Sequence, residues 1–591
     1  MKTKHLFLSA LTCLAFAACS NDDDAVKNPQ NEVERAYIAV NFSMPGSGAT
    51  TRWAGDDVNN NTYASASQAE LAVDNVAFFF FNSTDAAAAD PCFITVPTGT
   101  DIWDGSNDNH STGANQTDDK STKVILTVKN PKDVQKVVAV LNPTSEIKAL
   151  AKAVTSPYNP GETSSEVTLK TLTDALLVAS SNSLTTPTIS GTGESESISQ
   201  KLLMSNSVYL NSNGNSVINT TPITTNNLYT TQAAAEANPI TIHVERIWAR
   251  VKVNFGELSI VDAKDKNGVD LLTTSSSDLQ VCLKGWWLNN TNQNAYVLKH
   301  LTQENPSPWW NDYADYRSYW ANSYAPDGDL TSSFLGHANY NAYSVVDKYC
   351  LENTLAAQDK GQYSITTTID AQSETKSYTS ATQIVVAAEI GIMDGETFNT
   401  TGIIEYMGKY YTTDDFKTYL LSTDEFKKIT KKNGDDYVEL AAADITLAHN
   451  KNGQTEILHD DYNAIVQLVN GTYKYNGTET VVATINATLK EIFGERKYWK
   501  DGKTYYFAKI SHNTKSGIDA KYNYAIIRNH LYDVTISGVV GLGTPVTDPE
   551  IPIIPEYPDE STESFLACKI AVLKYRVVAQ DVTLGGDANQ Q

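Results

Sequence analysis

Basic charge is what this 591-residue chain most lacks. Its 45 Lys and Arg stand against 69 Asp and Glu, a net charge of −24. That argues against a nucleic-acid partner, whose phosphates need a basic footprint. It suits a secreted surface protein kept soluble by self-repulsion. Cysteine is scarce as well. Cys13 and Cys19 fall in the leader, and Cys92, Cys282, Cys350 and Cys568 are scattered without a CxxC, a spacing that argues against zinc. Four body cysteines in an exported chain permit disulfides, and their wide separation in a large apolar body equally permits isolated buried thiols. Catalytic signatures are missing too: the nine His are dispersed, with no HExxH, no GxSxG and no Gly-rich phosphate loop. His459-Asp460-Asp461, the densest carboxylate–imidazole group, reads as a solvated loop. Gly541-Leu-Gly543 runs into a proline-rich stretch and not a helix, so it cannot cradle a phosphate. The expectation is a protein that is not an enzyme and uses no metal or cofactor.

The N-terminus is an export signal over residues 1–18. Lys2, Lys4 and His5 precede an apolar stretch, Leu6 to Ala18, too short to span a bilayer as a stable helix. It ends Phe16-Ala-Ala-Cys19, close to a lipobox, which makes Cys19 the expected lipidation site. One such lipid tethers a soluble body to a membrane without threading it through. After a polar tether, Ile38, Val40, Phe42 and Met44 alternate with Ala39, Asn41 and Ser43, a strand with a single buried face. It stops at Pro45 and enters Gly46-Ser-Gly-Ala-Thr-Thr51, which has nothing to bury. Arg52, followed by Trp53, ends that loop and is open to a trypsin-like protease.

The rest reads as mostly β. Val73–Phe81 has the run of a strand buried on both faces, and Lys123–Val128 and Val134–Leu141 are further strands. Ser145–Val154 and Ser165–Ala179 look helical, and 180–200 is a loop. From Pro239 to Phe255 the apolar positions switch from even (Ile240, Ile242, Val244) to odd (Ile247, Ala249, Val251, Val253). A one-residue phase change at Glu245-Arg246 marks a bulge or a passage between sheets. Strands are expected at Gln280–Trp287, Gln383–Ile392, Thr504–Ser511 and Tyr524–Ser537. A turn is expected at Asp265–Gly268, and short surface helices at Asp414–Leu421 and Thr423–Lys431. Many strands and few helices predict two β-sandwich domains, 53–238 and 239–546. Residues 547–591 are a proline-rich arm and a terminal strand. Phe565 to Leu584 would reach roughly 65 Å if extended, with Leu566, Cys568, Ile570 and Val572 on one face. Such a strand either folds back on its own domains or is given to a neighbour, and the neighbour is the reading preferred here.

An aromatic-rich segment, Trp286-Trp287 through Trp309-Trp310, Tyr313, Tyr316, Tyr319-Trp320 and Tyr324, fits either packing beneath a long loop or a sugar-stacking surface.

Several of these pieces together resemble the major-subunit fimbrillins of type V pili from Bacteroides-group bacteria, nearest to the short-fimbria stalk subunit. The acidic Asp22-Asp-Asp24 after Cys19 is similar to the surface-export signal of that group's lipoproteins. The other matching pieces are Phe42-Ser-Met-Pro45, Arg52 before Ala54-Gly-Asp-Asp57, Val244-Glu-Arg-Ile-Trp-Ala-Arg-Val251 and Tyr349-Cys-Leu-Glu-Asn-Thr354. Tyr524-Ala-Ile-Ile-Arg-Asn-His-Leu-Tyr-Asp-Val-Thr-Ile536 and the terminal strand complete the set. Segments 85–122 and 284–345 are not similar to the family.

The resemblance implies two transthyretin-like β-sandwiches with short peripheral helices and a donor strand. It implies a lipoprotein precursor at the outer membrane, with a lipidated propeptide over 19–52. An Arg-specific extracellular protease cuts between Arg52 and Trp53, releasing the strand with Ile38, Val40, Phe42 and Met44. The tail of another copy then enters with Leu566, Cys568, Ile570, Val572, Leu573, Val578, Val582 and Leu584, extending an extracellular fimbria by β-strand addition. Other copies and the anchor and tip subunits are the implied partners, in support of adhesion and biofilm formation. The competing readings are a glycan-binding surface lipoprotein using the 286–324 aromatics, and a tip or anchor subunit of the same pilus.

Overall fold

The computed structural model describes residues 35–43, 67–96, 102, 124–129, 131, 133–155, 167–178, 180, 181, 184–191, 195–210, 217–255, 260–301, 321–325, 330, 334–355, 362–369, 372–449, 463–512, 523–546, 548–555, 565–574 and 576–580. Strands dominate. β1 (Arg35–Ser43), β2 (Asn75–Phe81), β3 (Ala87–Thr95), β4 (Val124–Lys129), β5 (Lys136–Leu141), β6 (Met204–Asn206) and β7 (Ile240–Arg246) form one sheet. Its order is β3-β2-β5-β6-β7-β1-β4, with Thr221–Pro222 beside β5. β7 serves both halves: Ile240 to His243 pair with β1, and Val244 to Arg246 pair with β6. The halves close over one core, in which the rings of Phe42 and Phe78 lie 6.0 Å apart. Val76 through Phe81 are all buried, as expected of a strand covered on both faces. The helix Ser145–Thr155, at the place its sequence pattern predicts, packs on β2 and β3.

The second unit is a β-sandwich. It comprises β8 (Trp248–Asn254), β9 (Ile260–Asp262), β10 (Leu279–Asn289), β11 (Lys348–Leu351), β12 (Gln362–Ile369), β13 (Gln372–Thr379) and β14 (Gln383–Asp394). β15 (Lys503–Lys509), β16 (His530–Val540), β17 (Thr544–Pro545), β18 (Phe565–Lys574) and β19 (Arg576–Gln580) complete it. One sheet runs β11-β8-β16-β18-β19, the other β9-β10-β14-β15-β17 with Thr397–Thr400 beside β14. Val251, Val253, Val534 and Ile536 of the first sheet meet Val281, Trp286, Ile384, Val386 and Ile390 of the second. The phase change is a passage between sheets: β7 closes the first unit and β8 opens the second, with Ile247 alone between them. The units therefore divide at Ile247 and not at 239.

Elsewhere the sequence pattern misleads. Residues 403–499 hold a core of their own, with Phe416, Leu420, Ile485, Leu489 and Phe493 from two helices packed against Ile404, Val466 and Tyr473 from two small sheets. This is a third unit that two sandwiches leave out. Its first helix is Thr413–Ser422, but the expected second one is a single turn, Phe426–Lys428, leading into the strand Ile429–Asn433. The helix expected over 165–179 shrinks to Leu169–Thr173 before a strand, Leu176–Val178. Asp265 does make the expected turn, its carboxylate accepting the N–H of Asn267 and Val269. Gly543 has φ +69° and lies so close to Tyr505 that a Cβ would stand 2.7 Å from that carbonyl oxygen. The Gly-Leu-Gly segment is a tight turn between β16 and β17, as its lack of a following helix requires.

A buried charge network fastens the first unit to the second. Lys299 and Glu245, both essentially without solvent contact, pair at 3.2 Å. Arg528 donates to Glu352 at 3.2 Å and to the carbonyls of Tyr296 and Val297. Arg246 reaches the Glu70 carbonyl and Asn529. Arg250 holds Glu196 with both terminal nitrogens, at 3.0 and 2.7 Å, and Asp347 through its Nε at 2.8 Å. Tyr349 donates to Glu70 at 2.6 Å. Burial pushes the Glu245 carboxyl above its ordinary range, against the pull of Lys299 and Arg528. Removing one member leaves its partner charged in a dry interior, which ordinarily costs about 3–5 kcal/mol. Glu352→Ala is expected to lower unfolding free energy by about that amount, and Glu352→Gln, which keeps hydrogen-bonding capacity, by less. Denaturant titration of the two variants checks the order.

Candidate assembly site: the slot of the first strand and the C-terminal tail

β1 is an interior strand, although it starts 205 residues before its neighbour β7 in sequence. On one side Val40 to Ser43 run parallel to Ile240 to His243. On the other, Arg35 to Val40 run antiparallel to Lys129 to Val124. Tyr37 and Tyr229 exchange backbone hydrogen bonds at 2.7 and 2.8 Å. Ile38, Val40 and Phe42 have no solvent exposure, so the predicted inner face is the one buried. The opposite face is not open, however: Ala39 and Asn41 are buried as well, because the helix Gln232–Ala237 packs on β1. Burying Ile38, Val40 and Phe42 contributes about 1.5–3 kcal/mol apiece before chain entropy is subtracted. If β1 left, the edges of both β4 and β7 would lie bare and the core would carry a slot nine residues long. Met44, Cys19, Arg52 and Trp53 lie outside the described residues.

At the other end of the chain the tail is folded home. β18 runs antiparallel to β16, with Val572 opposite Tyr532, Ile570 opposite Val534, Cys568 opposite Ile536 and Leu566 opposite Val539. Those four β16 residues line the sandwich core, and the tail positions paired with them are the ones the sequence assigns to one apolar face. The single twenty-residue strand of the sequence reading is instead a hairpin: β19 turns back on β18, and Val572 pairs with Val578. Leu573 lies in β18, and Val582 and Leu584 lie outside the described residues. A hairpin pairs its own backbone, which a lone twenty-residue edge strand would leave half bare.

The arm before the tail is pinned, not free. Asn289 donates to the Ile553 carbonyl at 2.6 Å, and the Ile553 N–H donates to the Ala338 carbonyl at 2.9 Å. Asn339 and Asn341 bind Glu550 through its carbonyl and its carboxylate. Ile553 is buried with Trp287, Tyr340 and Tyr505. Trp287 and Trp286 are therefore packing residues: Trp287 gives its N–H to Asn289, and Trp286 is buried in the sandwich core. Tyr324 packs edge-on against Tyr296 at 6.2 Å, and Trp309, Trp310, Tyr313, Tyr316, Tyr319 and Trp320 lie outside the described residues, as do His459-Asp460-Asp461. Cys282 and Cys350 are free thiols, Cys92 is buried, and burial pushes the Cys350 thiol up to about 12, so it is unreactive. Among the described residues no cluster suited to a metal ion occurs and no helix is long and apolar enough to cross a membrane.

Over residues 497–581 the chain matches the family model described as major fimbrial subunit protein type IV, fimbrillin, C-terminal. That stretch holds β15 to β19, the closing half of the sandwich together with the arm and the tail. No curated protein matches the chain. Among solved structures, a proposed cell adhesion protein from Parabacteroides distasonis shares 13% identity over 92% of this chain and 98% of its own, at a TM-score of 0.32. The tip fimbrial protein of Porphyromonas gingivalis, solved with a C-terminal truncation, shares 11% over 92% of this chain and all of its own, at 0.27. Scores this low establish neither a shared function nor a shared partner.

Phe42→Ala is expected to cost about 3–5 kcal/mol and to speed amide exchange in β4 and β7 well before β16 responds; hydrogen exchange by residue reads the difference. Burial also pulls His337, next to the Ala338 anchor of the arm, down to about 4 from 6.5. Its unfolded form takes a proton first. Stability should therefore decline as pH falls from 6.5 toward 4, and His337→Gln should remove that part of the decline in thermal melts taken across the range.

Proposed function

We propose that this chain, whose residues 497–581 match the fimbrillin C-terminal family model, is a pilus stalk subunit that polymerises by exchanging strands. It is exported as a lipoprotein through Cys19 and is cut between Arg52 and Trp53. The cut frees β1, and the tail of another copy takes its place. The observation that carries this reading is the position of β1. An N-terminal strand followed by a loop with nothing to bury fills an interior slot whose two flanking edges, on β4 and β7, its departure would bare.

The lengths and patterns agree: the slot spans nine residues and β18 spans ten. Leu566, Cys568, Ile570 and Val572 repeat the period of Ile38, Val40 and Phe42. Folding the tail onto β16 keeps an apolar strand covered until a slot opens. Transfer parts β18 from both β16 and β19 and pairs it with both β4 and β7, so the exchange keeps the number of paired edges of the donor strand. While attached, β1 competes from an effective concentration of order mM, and cleavage ends that advantage. A head-to-tail contact does not close on itself, so it propagates. A subunit that keeps a donor strand of this kind suits a stalk better than a tip.

Arg52→Ala is the test. Mature protein shed from cells should begin at Trp53, and the variant should stay lipidated and monomeric. Ordered fibres from uncut Arg52→Ala protein would end this account.

A further inference from the structure

β12 and β13 stand apart from the rest of the sandwich. They pair over eight positions, Gln362 with Thr379 through Ile369 with Gln372, and among the described residues β12 has no strand neighbour besides β13. A two-stranded ribbon eight residues long projects roughly 26 Å at the usual rise. Alone in water such a ribbon is marginal. Its root is well held: Tyr363 and Tyr378 are buried with ring centroids 5.6 Å apart, Phe334 lies 5.3 Å from Tyr363, and Tyr363 donates to Asn290 at 3.0 Å.

Ile554 packs on that same cluster. The ribbon therefore springs from the place where the arm, pinned through Ile553, sets out toward the tail. The two strands differ in chemistry. β13 carries Glu374 and Lys376, whereas β12, Gln362-Tyr-Ser-Ile-Thr-Thr-Thr-Ile369, carries no charge and no proline. Edges meant to stay bare are guarded by those residues. The ribbon closes on a two-residue connection, which makes Ile369, Ile365 and Tyr363 ladder-bonded positions toward β13. The N–H groups of Ser364, Thr366 and Thr368 then point outward.

We propose that β12 is a second intersubunit contact: its outer edge adds to an edge of the receiving copy of this chain, beside the joint where the tail enters. This rests on the polymerisation reading above. A strand that is β-prone, uncharged and unguarded is suited to backbone pairing with another chain, and its root beside the arm brings it to the neighbour that takes the tail.

The experiment compares fibres matured by an Arg-specific protease from the full chain, from Thr366→Pro and from Thr366→Lys, with a chain ended before Phe565 as control. Proline is tolerated at an edge position whose N–H faces out, so monomer melting should not change in either variant. Fibres of both variants should dissociate about tenfold faster, the effect of losing two or three backbone hydrogen bonds. In wild-type fibres, but not in monomers, the amides of Ser364, Thr366 and Thr368 should resist exchange. Unchanged dissociation together with unprotected amides would overturn the role of β12 while leaving tail exchange intact. Polymers from the chain lacking its tail would instead overturn the strand-exchange reading itself.

Discussion

Everything in this molecule is arranged around a dry cluster of charges at Ile247. Glu245, Arg246 and Arg250 flank that residue on β7 and β8, and Lys299, Glu352, Arg528 and Glu70 converge on them from segments far apart in the chain. Such clusters add little net stability over an apolar core. Their force lies in what they forbid. Any other docking of the first unit on the second would strand a buried cation without its carboxylate. The two sheets are thus tied in one relative arrangement, and the ends of β1 and of the tail are fixed with respect to one another.

Within that frame β1 and β18 are two solutions to one problem. Each is a nine- or ten-residue apolar strand laid against a sheet that would otherwise show a bare edge. β1 is flanked on both sides by other segments of the chain, whereas β18 has β16 on one side and its own hairpin partner on the other.

Much of this was legible beforehand. Strict alternation gave β1 and its inner face, the phenylalanine run gave β2, and the parity switch after Val244 located the change of sheet. Parity could not see the helix Gln232–Ala237 that closes the outer face of β1, because covering is a tertiary event. The third unit is hard to see in sequence although Val482, Ile485, Leu489 and Phe493 follow a helical period, because strand-like segments flank it on both sides. The hairpin in the tail was hidden because residues on both sides of its turn are equally β-prone, and only pairing distinguishes one long strand from two. The charge cluster was present as strings of letters, Val244 to Val251, Tyr349 to Thr354 and Tyr524 to Ile536, whose charges have no reason to be read as partners until folding brings them together.

The junction at Ile247 also has a mechanical meaning. β7 runs parallel to β1, and β8, its direct continuation, runs parallel to β16, against which the tail lies. Tension entering at one end of the subunit thus travels along nearly continuous backbone to the other, with no flexible linker to stretch between the two sheets. A strand seated in the slot is held on one flank over Arg35 to Val40 and on the other over Val40 to Ser43, so a pull along its axis loads those rungs together instead of unzipping them one at a time.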